Sequence, residues 1–374
     1  MNLSYWERTS FLQNYDYTIV GAGIVGLFAA IEIKKRNSNA KVLILERSIL
    51  PDGASTKNAG FACFGSLSEI IEHHNNTSEI EFINLVTKRV AGLKKLKDEL
   101  GEENIQFQKN GGYEIFTAKD LKMFNECMNS MAEYNSLLHN VFNDQVYELR
   151  DDDIDRFQFK NVEHLIYTKH EAQIHSGKMM KMLIKKAFEY GVQILFNTEL
   201  LSFENKDTII LKTNTSNITT QKLLVTNNAF AKKLFNDLDL KPGRGQIIVT
   251  SEVKDLKLKG NFHYDEGYYY FRNIDNRVLI GGGRNLDFKA EETFENGETE
   301  IVQKELRRLL SEVILPNDDY KIEYSWSGTM AFGNEITPIV KQLQNNIYCA
   351  VRCNGMGVAM GSLLAEDLVQ LAMH

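Results

Sequence analysis

Asp16-Tyr17-Thr18-Ile19-Val20-Gly21-Ala22-Gly23-Ile24-Val25-Gly26-Leu27-Phe28-Ala29-Ala30-Ile31 decides the fold. Tyr17 to Val20 have the apolar, β-branched character of a strand buried in a parallel sheet. The run from Leu27 to Ile31 reads as a helix, and the three glycines between have separate tasks. Gly21 permits a tight turn, Gly23 lets the backbone approach a pyrophosphate, and Gly26 lets the helix pack closely on the strand. Phosphate charge would then rest on the free N–H groups at the positive end of the helix.

Glycine-rich turns are common, so the context has to carry the reading. A second apolar run, residues 41–45, ends at Glu46, twenty positions after Gly26. An acid at that point accepts hydrogen bonds from a ribose 2′-OH and disfavours a 2′-phosphate. NAD and FAD both use such a turn, and the segment Gly53-Ala54-Ser55-Thr56-Lys57-Asn58-Ala59-Gly60 chooses between them. Its small and hydroxylated residues would let the backbone lie along an extended cofactor running past the pyrophosphate.

With this loop the chain resembles the D-amino-acid oxidase family of FAD enzymes, and the resemblance runs through nearly the whole sequence. It implies an α/β fold in which a Rossmann-like FAD domain of the glutathione-reductase type is interleaved with an α+β substrate domain on an antiparallel sheet. Residues 1–77, 156–240 and 329–374 would form the first domain, and 78–155 and 241–328 the second. The implied cofactor contacts are Gly21, Gly23, Ile24, Val25, Gly26, Glu46, Arg47, Ser55, Thr56, Asn58, Ala59 and Gly60 in the first third of the chain. Leu200 would lie near the adenine, and Asn227 and Asn228 would follow a further strand. Asn228 stands where most relatives have glycine, and asparagine is the next best residue for a left-handed backbone. Gly355, Met356, Gly357 and Val358 would open a last helix beside the flavin, whose reduced form carries negative charge that a helix N-terminus stabilises.

The chief departure lies at Trp326-Ser327-Gly328-Thr329-Met330-Ala331-Phe332. Glycine oxidase and D-amino-acid oxidase have an arginine where Met330 stands, and its planar fork clamps the substrate carboxylate. Either the substrate lacks an α-carboxylate, or Arg272, Arg284 or Arg352 holds an acidic group instead. Arg352, just before the flavin-facing turn, is the preferred candidate, with Arg272 and Tyr270 as further positioning residues. Tyr268, Tyr269 and Tyr270 alternate along a strand, so two share one face. His73 and His74 are adjacent on a helix, point different ways, and make a poor base or ligand pair.

The resemblance implies oxidation of a C–N bond in a small amine or N-substituted amino acid by hydride transfer to flavin. The Met330 site and the Thr226-to-Phe230 turn are more similar to the γ-glutamylputrescine oxidase branch than to glycine oxidase. Rival readings are a 2-hydroxyacid dehydrogenase, or a flavin protein with a sensory or tRNA-modification role. Electrons would pass to oxygen, a quinone or another carrier.

Bulk properties agree with this class. The chain has 374 residues, long enough for two domains, with 43% hydrophobic and 25% charged residues. A net charge of −7 argues against nucleic-acid binding. Cys63, Cys127, Cys349 and Cys353 form neither a disulfide framework nor a CxxC metal pattern and read as reduced thiols. No signal-peptide pattern or membrane-length apolar run appears, so a cytoplasmic protein is expected.

Overall fold

The computed structural model describes residues 3–12 and 14–374. Tyr15–Val20 pairs in parallel with Val42–Leu45 on one side and Asn217–Val225 on the other. This central position explains the unbroken apolar run, because both faces of the strand are covered. Gln193–Leu195 and Ile347–Val351 extend the parallel sheet outward, and Ile339–Gln344 closes one edge in the antiparallel sense. A hairpin, Leu200–Asn205 with Ile209–Thr213, extends the lower part of Asn217–Val225.

One face of this sheet is covered by the helices Ile24–Arg36, Ser176–Glu189 and Gly357–Met373, which share a core with Ile19, Ile44 and Leu224. The second sheet has eight strands and follows the order Ile322–Phe332, Lys241–Thr250, Arg277–Gly282, Tyr269–Ile274, Asn261–Tyr264, Gly112–Thr117, Val162–Thr168 and Glu148–Leu149. All its pairings are antiparallel except Asn261–Tyr264 with Gly112–Thr117. That pair joins two distant stretches of chain, so no hairpin turn dictates its direction. The helix Glu300–Leu309 packs Val302, Leu306 and Leu309 on one face of this sheet. No helix among the described residues is long and apolar enough to cross a membrane.

Several segments differ from the sequence expectation. Val162–Thr168 lies within the stretch 156–240 read as cofactor region, yet it pairs with Gly112–Thr117 in the second sheet. The strand Ile322–Phe332 runs across the expected boundary at 328/329. Pairing partners are non-local, and neither segment carries a local mark of its sheet. Ala54–Lys57, expected as a loop, is a single helical turn.

The helix Glu79–Leu100 crosses the terminal helix at Gly92, where a Cβ would overlap the Ala359 carbonyl oxygen. Ser362 Oγ donates to the Gly92 carbonyl at 2.8 Å across the same crossing. Gly92→Ala gains about 0.8–1 kcal/mol of helix propensity but forces two backbones apart, which costs about 1–3 kcal/mol or more. The clash should win, and urea denaturation should show a lower midpoint for Gly92→Ala than for the parent chain.

Candidate active site

A cavity of about 870 Å³ is lined by residues of both sheets. Its first wall is the glycine turn. Gly21 adopts φ +101°, and Gly23 caps the helix Ile24–Arg36 without any side-chain cap of its own. Ile24 N–H donates to Ser55 Oγ at 2.9 Å, which ties the following loop to the helix end. Gly21, Gly23, Ile24 and Val25 line the cavity. Gly26 does not; a Cβ there would overlap the Gly21 carbonyl, so it serves the close packing expected of it.

Glu46 closes the end of Val42–Leu45 and is buried against the turn. Its Oε2 accepts from Ala22 N–H and its Oε1 from Ser48 N–H, both at 3.1 Å. Burial raises its pKa, while these backbone bonds pull it back down. Arg47 lies over the Phe230 ring, 3.8 Å from its centroid, and both line the cavity together with Thr198 and Leu200. Asn58 is locked by bonds from its Nδ2 to the Ser55 carbonyl and to its Oδ1 from Gly60 N–H and Ser176 Oγ. Ser55, Asn58 and Ala59 face the cavity, whereas Thr56 and Gly60 are outside its lining.

Asn227 and Asn228 line the cavity, and Asn228 takes φ +51°, the left-handed turn anticipated for it. Gly355, Met356, Gly357 and Val358 complete the wall at the start of the terminal helix. Two helix N-termini therefore face one cavity. Asn227 Oδ1 and Thr329 Oγ1, both on cavity-lining residues, are buried without a partner. Bare helix ends and waiting polar atoms fit a phosphate-bearing cofactor such as FAD.

The remaining lining comes mainly from the second sheet. Tyr268 and Tyr270 face the cavity, and Tyr269 points into the core on the other side. Burial pushes the Tyr270 hydroxyl up to about 12. Met330 and Phe332 lie two residues apart on one strand and both line the cavity.

Arg352, the preferred clamp in the sequence, is not in the lining. Its backbone has φ +68°, which turns the side chain away into protein. There it pairs with Asp239 and Glu335 and donates to the Thr337 carbonyl at 2.9 and 2.7 Å. Arg272 is also outside the lining and donates to the Ile174 carbonyl at 2.9 Å. Burial pushes its guanidinium down to about 10. Both are structural residues. Arg284, the third candidate, is the one of the three that lines the cavity. Its guanidinium sits 3.9 Å from the Phe332 ring centroid and near Tyr268 and Phe288. Among the described residues no carboxylate pairs with it, and burial lowers its pKa.

Three carboxylates missed by the sequence reading, Glu69, Glu72 and Glu266, line the same region. Glu266 rides on a hairpin tip where Asp265, Glu266 and Gly267 are all left-handed, at φ +54°, +51° and +78°. Burial, then the neighbouring Glu72, raises the Glu266 pKa. His73 is 3.9 Å from Glu69, but burial and Arg89 hold it down to about 3, so it is neutral. His74 instead stacks on Phe82 and bonds Tyr134. The one sequence clue to Glu69 was its place in the first turn of a helix shortly after the Gly53-to-Gly60 loop.

A family model described as FAD dependent oxidoreductase (DAO) matches residues 16–371. A Haemophilus influenzae protein named probable oxidoreductase OrdL is 22% identical over 385 residues, covering 96% of this chain and 84% of its own. Among solved structures, an L-proline dehydrogenase from P. horikoshii superposes with TM-score 0.76 at 18% identity, covering 96% of this chain and 94% of that one. A glycine oxidase from Geobacillus kaustophilus gives TM-score 0.76 at 17% identity, covering 96% and 95%.

Two outcomes are expected from this geometry. Arg352→Met should leave substrate KM unchanged and lower stability, because it strips a buried guanidinium from Asp239 and the Thr337 carbonyl. Urea denaturation beside steady-state kinetics separates these effects. His73 binds its proton more weakly when folded, so its contribution is complete above about 6.5 and is lost as pH falls toward 3. His73→Gln should therefore flatten the decline of the urea midpoint across that acid window.

Proposed function

Because the chain belongs to the FAD-dependent oxidoreductase family, we propose that it oxidises the C–N bond of a small amine or N-substituted amino acid whose anionic group is held by Arg284. Bound FAD supplies the two-electron acceptor for a hydride equivalent from the substrate C–H, and the imine product hydrolyses in water. Gly21, Gly23, Ser55 and the start of the helix Ile24–Arg36 would hold the pyrophosphate, and Glu46 the ribose. Asn227, Asn228 and the turn from Gly355 to Val358 would border the rest of the cofactor.

The observation that carries the substrate reading is the guanidinium of Arg284 over Phe332, which has no carboxylate partner among the described residues. Phe332 is two residues from Met330, so the two share one face of the strand. The cation that Met330 cannot supply is thus present one pleat further along. A half-buried arginine without a carboxylate carries a desolvation cost, and an anionic substrate group removes it. On the other side, Glu72 and Glu266 make no ion pair among the described residues, which favours a ligand carrying an ammonium as well. Exposed Glu72 marks the outer rim, and Tyr268, Tyr270, Phe61 and Phe332 form the apolar walls. Passage from the acidic rim to those walls favours the neutral amine, the form able to release hydride.

Histidine chemistry weighs against the hydroxyacid alternative, which needs a base for the hydroxyl proton. The cavity-lining imidazoles are His73 and His263. His73, held near 3, is too weak a base. Burial would lower His263, but Glu171, Glu69 and Glu114 together outweigh it and push it up to about 9, so it already carries its proton. The electron acceptor, oxygen or a quinone or other carrier, is left to the same assay.

Anaerobic bleaching of the flavin band by panels of amines, amino acids and hydroxyacids tests the class directly; fastest bleaching by a hydroxyacid would sink it. Arg284→Met should raise KM for an acidic amine by about 10- to 150-fold, the equivalent of about 1.5–3 kcal/mol for a hydrogen bond to a charge. Arg284→Lys should recover part of that loss. Glu46→Ala should weaken FAD binding by a similar energy, measured by titrating the apoprotein with FAD and following flavin fluorescence. Unaltered affinity would remove Glu46 from the ribose site.

A further inference from the structure

Behind the substrate side of the cavity lies a cluster that the proposed reaction does not use. Phe61 pairs with Gln173 and Ala62 with Ala172 in a short antiparallel ladder. One step further in that register brings Cys63 opposite Glu171. His263, from the neighbouring sheet, places Nε2 2.9 Å from Glu171 Oε2. One ligand atom from each of Cys63, Glu171 and His263 lies within 4.8 Å of the others, and all three residues are buried. Glu171 keeps a second oxygen, Oε1, that is buried without a partner. Cys63 and His263 also line the main cavity.

We propose that Cys63, Glu171 and His263 form a site for a zinc-class divalent metal in the cavity wall, with a fourth position open to the cavity. The donor set selects the metal. One sulfur, one imidazole nitrogen and one carboxylate oxygen suit zinc or cobalt and are poor ligands for magnesium or calcium. Charge permits the exchange. Burial holds the Cys63 thiol proton and Glu171 helps hold the His263 imidazole proton, and these are the two that a metal must displace. Binding of M²⁺ releases the thiol proton and the imidazolium proton, leaving a thiolate, a carboxylate and a neutral imidazole around the ion. Two positive charges enter and two leave, so the buried cluster keeps the same net charge. Three protein ligands with an open fourth position is the arrangement of metal sites that take a water or a small ligand.

The FAD-loaded protein, freed of metal with a chelator and titrated with Co²⁺, tests the site. A thiolate-to-cobalt charge-transfer band should appear, with d–d bands to the red of the flavin absorption. Zinc added instead should remain at about one ion per chain after gel filtration, read by elemental analysis. Cys63→Ser should abolish the charge-transfer band and weaken cobalt binding by about tenfold or more, since loss of even a supporting group costs that much. His263→Gln should weaken binding while keeping the thiolate band at high cobalt. Cys353→Ser, a cavity-lining thiol outside the cluster, should leave the cobalt spectrum as it was. Absence of the thiolate band in the unaltered protein overturns the proposal, as does its persistence in Cys63→Ser. Should Cys63→Ser fail to retain FAD, the unaltered protein and His263→Gln still decide. None of these readouts involves substrate turnover, so a failed metal site leaves the amine reading standing.

Discussion

The contact between Gly361 and Ile24 holds the cavity together. A Cβ on Gly361 would stand 2.5 Å from Ile24 Cγ2, so only glycine lets the terminal helix lie this close to the first one. Ile24 is the first residue of its helix, and Gly361 lies one turn into the other. The contact therefore fixes two helix N-termini against a single cavity, and their positive ends point at shared space. In the absence of negative charge that arrangement is repulsive. A pyrophosphate and an anionic reduced flavin would relieve it, which is why this packing and this cofactor belong together. Gly92, on the far side of the terminal helix, extends the same close packing to a third helix.

A second electrostatic imbalance lies across the cavity. Two other buried arginines are paired within the protein: Arg244 with Glu291 at 2.8 Å, and Arg352 with Asp239. In the cavity wall Arg284 has aromatic rings and, among the described residues, no carboxylate, while Glu266 has another acid for its neighbour. Desolvated charges without partners are expensive, and a fold retains them where a ligand supplies the partner. Both signs are left open within one cavity, which is the complement of a ligand that bears both.

Local chemistry made the cofactor half legible in the sequence. The strand, the three glycines, Glu46 and the left-handed turn at Asn228 all depend on residues within a few positions of one another, and all took the expected backbone. Arg352 was misread for a physical reason. It is only three residues from the cavity-lining Gly355, but a left-handed backbone at Arg352 itself turns the side chain toward Asp239. Sequence proximity carries no information about that direction. Arg284 gained its position from the register of Arg277–Gly282 against its neighbours and from Phe332, about fifty residues further along the chain. Glu69, Glu171 and His263 are similarly distant from each other, and no spacing rule links them. The strand Val162–Thr168 went to the second sheet because of its partner, and its own apolar residues suit either sheet.

The acid and the cation of the substrate side are also coupled to one another. Asp265 and Glu266 both hold positive φ, a conformation costing about 1–2 kcal/mol per residue for any side chain but glycine. That strain persists only where surrounding structure enforces it. Tyr268 N–H donates to the Asp265 carbonyl at 2.9 Å and closes the turn from within. From outside, Asn285 Nδ2 donates to Asp265 Oδ2 at 2.9 Å. Asn285 is the residue after Arg284, so the bond that steadies the strained turn also joins the loop bearing the guanidinium to the tip bearing Glu266. Relaxing the turn would displace Glu266 and loosen Arg284 together. The spacing between the positive and negative groups is thus set by backbone and side-chain bonds of the second sheet, and a ligand spanning both would be selected by length as well as by charge.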